Sequence, residues 1–191
     1  MLSAASRAAP VACARVMPRA VARLGACGVH TEAKLEELGL ELPPPGKAQA
    51  NYILSVRSGD TIFTAGHLPM MHDGTLMSGK VGVDLNTEEA YAAAELVGLN
   101  ILSTLKAELG DLDRVKRIVK LNGFVNCVDS FSAQPKVING ISDLFGKVFG
   151  ARGVHARSAL GTNALPLNVP VEIEAIVELY PGDEVAPPED R

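Results

Sequence analysis

Aromatic residues and long apolar runs are scarce in this chain of 191 residues. It has no Trp, three Tyr and five Phe, too few for the aromatic platforms on which single-stranded nucleic acids stack. No apolar run is long enough to span a bilayer, so the sequence predicts no transmembrane helix. The cysteines, Cys13, Cys27 and Cys127, have no CxxC spacing, which argues against a zinc finger or a disulfide framework.

Motifs for the common cofactors are also missing. The glycines form neither a GxGxxG fingerprint nor a Walker A loop, so the usual nucleotide-binding folds are not indicated. The histidines have no spacing that would gather metal ligands, and the sequence predicts no metal site. Ser158 lacks the GxSxG context of a serine hydrolase.

Charge is unevenly distributed along the chain. Residues 1–31 contain four Arg and no acidic residue, whereas the rest carries 14 basic and 22 acidic side chains, a net charge of −8. A body this acidic is a poor partner for a phosphate backbone, so nucleic-acid binding is not expected.

The basic N-terminal segment resembles a targeting sequence. On a helical projection its arginines fall within an arc of about 160°, the amphipathic pattern of a mitochondrial transit peptide. We therefore expect residues 1–31 to be a transit peptide, cleaved between Arg23 and Glu32, and the protein to reside in the mitochondrial matrix. A plastid signal or a retained basic tail are the alternatives.

The remaining chain predicts an α+β fold. Residues 32–49 indicate a short helix and a Pro-rich connector, residues 50–180 one domain, and residues 181–191 an acidic disordered tail. Two helices are predicted, the first capped by Asn86 and the second opening at Ser130 or Ser132. The strand patterns predict a six-stranded sheet, with strands at 52–57, 61–66, 76–82, 115–126, 155–164 and 169–179.

Two helices can cover only one face of such a sheet. Apolar residues nevertheless alternate onto both faces of the first and last predicted strands. Oligomerisation through the bare face is the simplest way to bury them, with a monomeric α+β domain as the alternative.

Residues 156–176 carry the strongest chemical signal. A guanidinium at Arg157 can hold a carboxylate through two parallel hydrogen bonds; the alternative is a structural ion pair with Glu172 or Glu174. The two glutamates alternate with apolar residues and so share one sheet face. If that face is enclosed, one carboxylate is desolvated and suited to proton transfer; otherwise both are solvated strand residues.

Three segments resemble the Rid/YjgF family, the reactive-intermediate deaminases also known as endoribonuclease L-PSP. They are NYILSVRSGDTIFTAGHLP, GDLDRVKRIVKLNGFVN and ARSALGTNALPLNVPVEIEAIVEL, in the family's order, and the resemblance spans residues 50–180. It implies a chorismate-mutase-like fold and a homotrimer, with a central barrel of sheets, helices outside, and a cleft between each pair of subunits.

The resemblance also implies a function. Enzymes of the family hydrolyse 2-imino and enamine acids, such as 2-iminobutanoate and 2-iminopropanoate, to 2-keto acids and ammonia without a metal or organic cofactor. By position, Arg157 matches the arginine that pairs with the substrate carboxylate, Glu172 the glutamate that places the attacking water, and Tyr52 the tyrosine that closes the cleft.

Two departures place the chain in a divergent branch of the family. Ala159 stands where the well-studied deaminases have a cysteine, and His67 stands where they have a glutamine; both are expected to line the substrate site. The alternatives to a deaminase are a non-catalytic protein that binds small carboxylates and an endoribonuclease, the latter opposed by the acidic body. The implied partners are 2-imino or 2-keto acids and further copies of the chain.

Overall fold

The computed structural model describes residues 31–48 and 50–182. Apart from Thr31, the expected transit peptide lies outside these residues, as do the last nine positions of the expected acidic tail. The helices are α1 (Thr31–Glu37), α2 (Thr87–Leu109) and α3 (Gln134–Phe149). The strands are β1 (Ser55–Ser58), β2 (Thr61–Thr64), β3 (Val115–Asn126), β4 (Ala156–Thr162) and β5 (Val171–Leu179).

The strands form one mixed sheet in the order β1-β2-β5-β3-β4. The β3–β4 pair is parallel and the other neighbouring pairs are antiparallel. The chain between β3 and β4 contains α3, as a parallel connection requires. The predicted α+β class is confirmed.

Among the residues that the structure describes, the sheet has five strands, and the prediction of a sixth strand at 76–82 is wrong. Gly79 and Gly82 have φ angles of 135° and 91°, which turn the chain where a strand would run straight. The Gly79 amide donates to Asn168 and the Val81 amide to Asn126, so this segment bonds to loops at the ends of other strands. The predicted hairpin around Asp73-Gly74 is short: one bridge joins Met70 and Leu76, and the amides of Met71 and Met77 donate to the carbonyls of Thr75 and Pro69.

Helix α2 begins as its sequence predicts. The Asn86 side chain accepts from the Glu89 amide and the Glu89 carboxylate accepts from the Asn86 amide, a complete capping box. Gly110, at φ 76°, ends the helix. The expected cap of α3 is different: the helix begins at Gln134 after Ala133, and neither Ser130 nor Ser132 caps it.

The helices cover one face of the sheet only. Along β5 the odd-numbered residues, Val171 to Leu179, are buried, whereas the even-numbered residues are half-buried on the opposite face. We call the second face the open face. It carries Val56, Phe63, Phe124, Leu160 and Ile176, of which Val56, Phe63 and Leu160 are 52%, 45% and 55% exposed.

The first described residues are packed into the body. Thr31 is fully buried, and both its amide and its hydroxyl donate to the carboxylate of buried Asp113. Arg152 lies beside the same carboxylate. The folded body therefore includes Thr31, the last residue assigned to the expected transit peptide. Among the described helices, none is long and apolar enough to cross a membrane.

The contact between α2 and α3 depends on a glycine. A Cβ at Gly140 would overlap the backbone carbonyl of Tyr91, so the two helices approach each other more closely than any side chain allows. A Cβ at Gly146, two turns further along α3, would meet no atom within 4 Å.

These two glycines provide a matched pair of substitutions. Gly140→Ala should lower the free energy of unfolding by about 3 kcal/mol, because the helices must separate. Gly146→Ala should raise it by about 0.5–1 kcal/mol, because alanine favours helix and finds open space. Urea denaturation of both variants measures the difference, and equal stabilities would contradict the close packing described above.

Candidate functional site

Arg157 lies on the edge strand β4 and points to the helix-covered face. It pairs with Leu121 of β3, which is fully buried beneath the helices, so the two side chains share that face. The guanidinium donates from Nη1 to Ser142 Oγ at 2.9 Å and from Nη2 to the Pro135 carbonyl at 3.1 Å. Ala159 lies on the same face, packed against the core.

The Arg157 guanidinium retains unused hydrogen-bonding capacity. Its two hydrogen bonds occupy two of the five N–H donors of an arginine, which leaves three. Within residues 31–48 and 50–182, no carboxylate lies within 4.0 Å of it. The alternative of an ion pair with Glu172 or Glu174 is therefore not observed, and the arginine can bind an anion from outside.

Glu172 and Glu174 lie on the open face, as their alternation predicts. Glu172 aligns with Phe124 of β3, and through it with Leu160 of β4. Glu174 accepts from Asn122 Nδ2 at 2.8 Å. Burial, together with the negative charge of Glu174, raises the pKa of Glu172 above its ordinary value. Within one chain the sheet therefore separates Glu172 from Arg157.

Gly66 leaves the space that Glu172 occupies. A Cβ at Gly66 would overlap the Glu172 carboxylate, so the glutamate side chain lies across bare backbone. Any larger residue here would displace that carboxylate. The sequence did not mark this glycine as part of a site, and its only signal was its place at the end of the strand predicted at 61–66, directly before His67.

Tyr52 and His67 line a common pocket on another part of the surface, together with Gly46, Lys47, Leu54, Gly66, Leu68, Met70 and Asn100. Tyr52 is 45% exposed, whereas His67 is only 6% exposed. The His67 Nδ1 atom lies 2.8 Å from the Ala65 carbonyl and Nε2 lies 2.8 Å from Thr104 Oγ1. Both ring nitrogens are thus used within the chain, and a role for His67 in binding substrate stays a prediction.

Ser142 and His155 adjoin Arg157 and were missed by the sequence analysis. His155 Nε2 lies 3.0 Å from Ser142 Oγ, the atom that accepts from Arg157. The sequence did contain a signal for His155: it is two positions before Arg157, and residues two apart along a strand lie on the same face. No signal marked Ser142, since only the packing of α3 beside β4 brings it to the site.

A group of three carboxylates lies near α1. Glu32, Asp111 and Asp113 have oxygens within 4.8 Å of one another. Glu32 accepts from Lys106 and from the Leu112 amide. Asp111 accepts from the Asp113 amide. These bonds tie α1 to the body and give the cluster a structural role.

Burial of His67 should make stability depend on pH. Burial lowers the pKa of His67 below the ordinary value of 6.5, and the bond to Ala65 opposes this only in part. The unfolded chain therefore binds a proton that the folded chain excludes. This makes the free energy of unfolding highest above pH 7 and lower as the pH falls through about 6.5.

We expect the free energy of unfolding to fall by about 1 kcal/mol more between pH 7.5 and 5.5 in the wild type than in His67→Gln. His155, whose pKa is also lowered, is common to both proteins and cancels in this difference. Urea titrations at the two pH values measure it. Parallel pH profiles would show that His67 does not titrate as its burial indicates.

The amino-acid sequence matches a known protein family and several of its members. Residues 32–179 match the family described as "YjgF/chorismate_mutase-like, putative endoribonuclease". Protein TCP17 of Trypanosoma cruzi is 46% identical over 148 residues, 77% of this chain and 92% of the relative. The Saccharomyces cerevisiae protein named "MMF1, mitochondrial" is 27% identical over 142 residues, 74% of this chain and 83% of the relative.

A solved structure supports the same assignment. The crystal structure of Atu1372, a protein of unknown function from Agrobacterium tumefaciens, has a TM-score of 0.73 and 45% identity. The likeness covers 79% of this chain and 94% of Atu1372. Since the family match spans most of the sequence and agrees with the mixed sheet and its helices, the chain belongs to the YjgF/chorismate-mutase-like family.

Proposed function

We propose that this protein hydrolyses 2-imino and enamine acids to 2-keto acids and ammonia, as a 2-iminobutanoate/2-iminopropanoate deaminase. The supporting observation is the Arg157 guanidinium, which Ser142 and Pro135 orient and which has no carboxylate partner among the described residues. A planar carboxylate beside the reacting carbon is the group that such a guanidinium recognises. Membership of the YjgF family supports a deaminase or small-molecule-binding role in general, and the resemblance to its deaminases implies this substrate class.

The proposed chemistry depends on orientation more than on activation. Imines react with water unaided, so fixing the carboxylate plane and holding a water beside the imine carbon supplies much of the catalysis. Glu172 is the proposed group that places this water, and burial, with the negative charge of Glu174, raises the pKa of its carboxyl, which makes it a stronger base than an exposed glutamate. Tyr52 is proposed to close the cleft. This reaction needs no metal or organic cofactor.

We propose that the open face is buried in a homotrimer. Its apolar side chains include Phe63 and Leu160, each about half exposed in the single chain. Burying such a continuous apolar surface against further copies would stabilise an assembly. The trimer also matters for chemistry, because Glu172 and Arg157 lie on opposite sheet faces and can meet at one substrate only across copies.

A second candidate function is binding of small carboxylates without turnover. The same separation of Glu172 from Arg157 favours it, since each chain has a carboxylate clamp without an adjacent glutamate. Ala159 also replaces the cysteine of the well-studied deaminases. An endoribonuclease function is disfavoured by the net charge of −8 over residues 32–191, which repels RNA.

We further propose that the protein acts in the mitochondrial matrix. The Arg-rich, acid-free composition of residues 1–31 supports this location. The yeast relative MMF1, which is named mitochondrial, gives independent support.

Arg157→Ala should lower kcat/KM for 2-iminobutanoate by about 100-fold or more, and Arg157→Lys should recover only part of that loss. Each charge-assisted hydrogen bond contributes about 1.5–3 kcal/mol, and lysine retains the charge without the two-pronged geometry. The measurement is ammonia release from 2-iminobutanoate generated in situ by a dehydratase.

Lys147→Ala, which removes an exposed cation of α3 outside the open face, is the control and should behave as the wild type. The melting temperature and assembly state of each variant separate lost binding from lost structure. A correctly folded Arg157→Ala protein with wild-type turnover would rule out the carboxylate clamp. Binding of 2-ketobutyrate that requires Arg157, without turnover in the wild type, would favour the second candidate function.

Leu160→Glu should dissociate the proposed trimer, because it places a charge within the apolar open face. Light scattering on the wild type should give three times the mass of one chain, and the variant should approach the mass of one chain. Val83→Glu is the control, since Val83 is 71% exposed and lies in the loop before α2. A monomeric wild type would contradict the proposed assembly.

A further inference from the structure

A pocket of about 290 Å³ lies between α3 and the start of β4. Its lining residues are Ser142, Gly146, Gly153, Val154, His155 and Arg157. The volume suits a small organic acid, at the lower end of the usual range for ligand pockets. Of these residues, the function proposed above uses only Arg157, which binds the carboxylate, and Ser142, which orients it.

A continuous chain of hydrogen bonds runs through this pocket. His155 Nδ1 faces the Gly153 carbonyl, which can only accept, so Nδ1 carries the proton and donates it. His155 Nε2 is therefore unprotonated, and its lone pair faces Ser142 Oγ at a distance of 3.0 Å. The Ser142 hydroxyl donates to Nε2, because its other acceptor, the Ile138 carbonyl, is further away at 3.3 Å.

The Ser142 oxygen has one place left for a ligand. It has two lone pairs, of which one accepts from Arg157 Nη1 at 2.9 Å. The other can accept from a water or a substrate in the pocket. Burial, together with the positive charge of Arg157, lowers the pKa of His155 below its ordinary value although the bond to Gly153 opposes this, so the imidazole is neutral at pH 7 and its Nε2 can accept a proton.

The local fold holds this geometry. A Cβ at Gly153 would overlap the backbone carbonyl of Phe145, so the chain entering β4 presses directly on α3. The Phe145 ring contacts the His155 ring edge to face, with centroids 6.4 Å apart. Both contacts fix the imidazole between the helix and the strand, where it reaches Ser142.

We propose that Ser142 and His155 carry the proton during imine hydrolysis, on a substrate whose carboxylate Arg157 holds in this pocket. The proposal deepens the proposed deaminase function and rests on it. Its basis is that these three groups share one pocket and one hydrogen-bonded chain, whereas Glu172 of the same chain lies across the sheet.

The steps balance without a further reactant. A pocket water donates to Ser142 while its oxygen attacks the carbon of the protonated imine, so a C–O bond forms and the imine π electrons move to nitrogen. The Ser142 proton passes to His155 Nε2. His155 then returns that proton through Ser142 to the amino nitrogen, the C–N bond breaks, and ammonia leaves. The hydroxyl proton goes to ammonia, leaving the 2-keto acid and ammonium.

The test compares variants of the full chain that alter proton transfer with one that alters only the neighbouring surface. His155→Gln gives Ser142 a hydrogen-bond acceptor that cannot take up a proton, and Ser142→Ala interrupts the chain. Each should lower kcat by about 100-fold, a typical contribution of general base catalysis. His155→Gln should change the Kd for 2-ketobutyrate less than threefold, whereas Ser142→Ala also removes an anchor of Arg157 and should weaken that binding. Ser158→Ala, next to Arg157 but on the open face, should retain wild-type kcat.

His155→Ala provides a readout that a structural role would not move. Added imidazole should restore part of its kcat, because a free base can occupy the vacated space. Gly146→Leu, which extends a side chain into the pocket from a position without close neighbours, should weaken 2-ketobutyrate binding at least tenfold.

The outcomes distinguish this proposal from the function on which it rests. A wild type that releases no ammonia overturns both. A wild type that turns over while folded His155→Gln and Ser142→Ala retain its kcat overturns only the proton path. Loss of kcat in both variants, with unchanged 2-ketobutyrate binding in His155→Gln and imidazole rescue of His155→Ala, supports it.

Discussion

The central position of β5 constrains where chemistry can occur in this fold. Because β5 pairs with β2 on one side and β3 on the other, its odd-numbered residues lie beneath the helices and its even-numbered residues face outward. The register then carries this division to β3 and β4, so that Arg157 falls on one face and Glu172 on the other. A slip of one residue in the β5–β3 or the β3–β4 pairing would place Arg157 and Glu172 on the same face.

The regular parts of the fold could be predicted because local chemistry determines them. The capping box at Asn86 begins α2 and Gly110 ends it, both as their sequence context indicates. The alternation over 115–126 coincides with β3. No strand forms at 76–82, where one was predicted, because Gly79 and Gly82 interrupt the segment. Their positive φ angles turn the chain toward Asn126 and Asn168.

The candidate site could be predicted from the sequence only in part, and for a different physical reason. Arg157 and Glu172 stand in recognisable motifs, but a motif does not state which face a side chain occupies until the register is known. Ser142 is 15 residues from Arg157 and lies on another element. Its contact with Arg157 is created by α3 packing against β4, a tertiary event without a local sequence pattern.

The two faces of the sheet have different roles in the proposed enzyme: the helix-covered face binds the substrate carboxylate, and the open face carries Glu172. The helix-covered side is rigid, since backbone contacts at Gly140 and Gly153 leave no room for movement between elements. An arginine anchored there to Ser142 and Pro135 loses little conformational entropy on binding a carboxylate. The open face, by contrast, exposes apolar side chains in the single chain, and its Glu172 can reach a substrate held by Arg157 only across copies of the proposed trimer. Binding should therefore depend on the fold of one chain, whereas any contribution of Glu172 to turnover should depend on assembly.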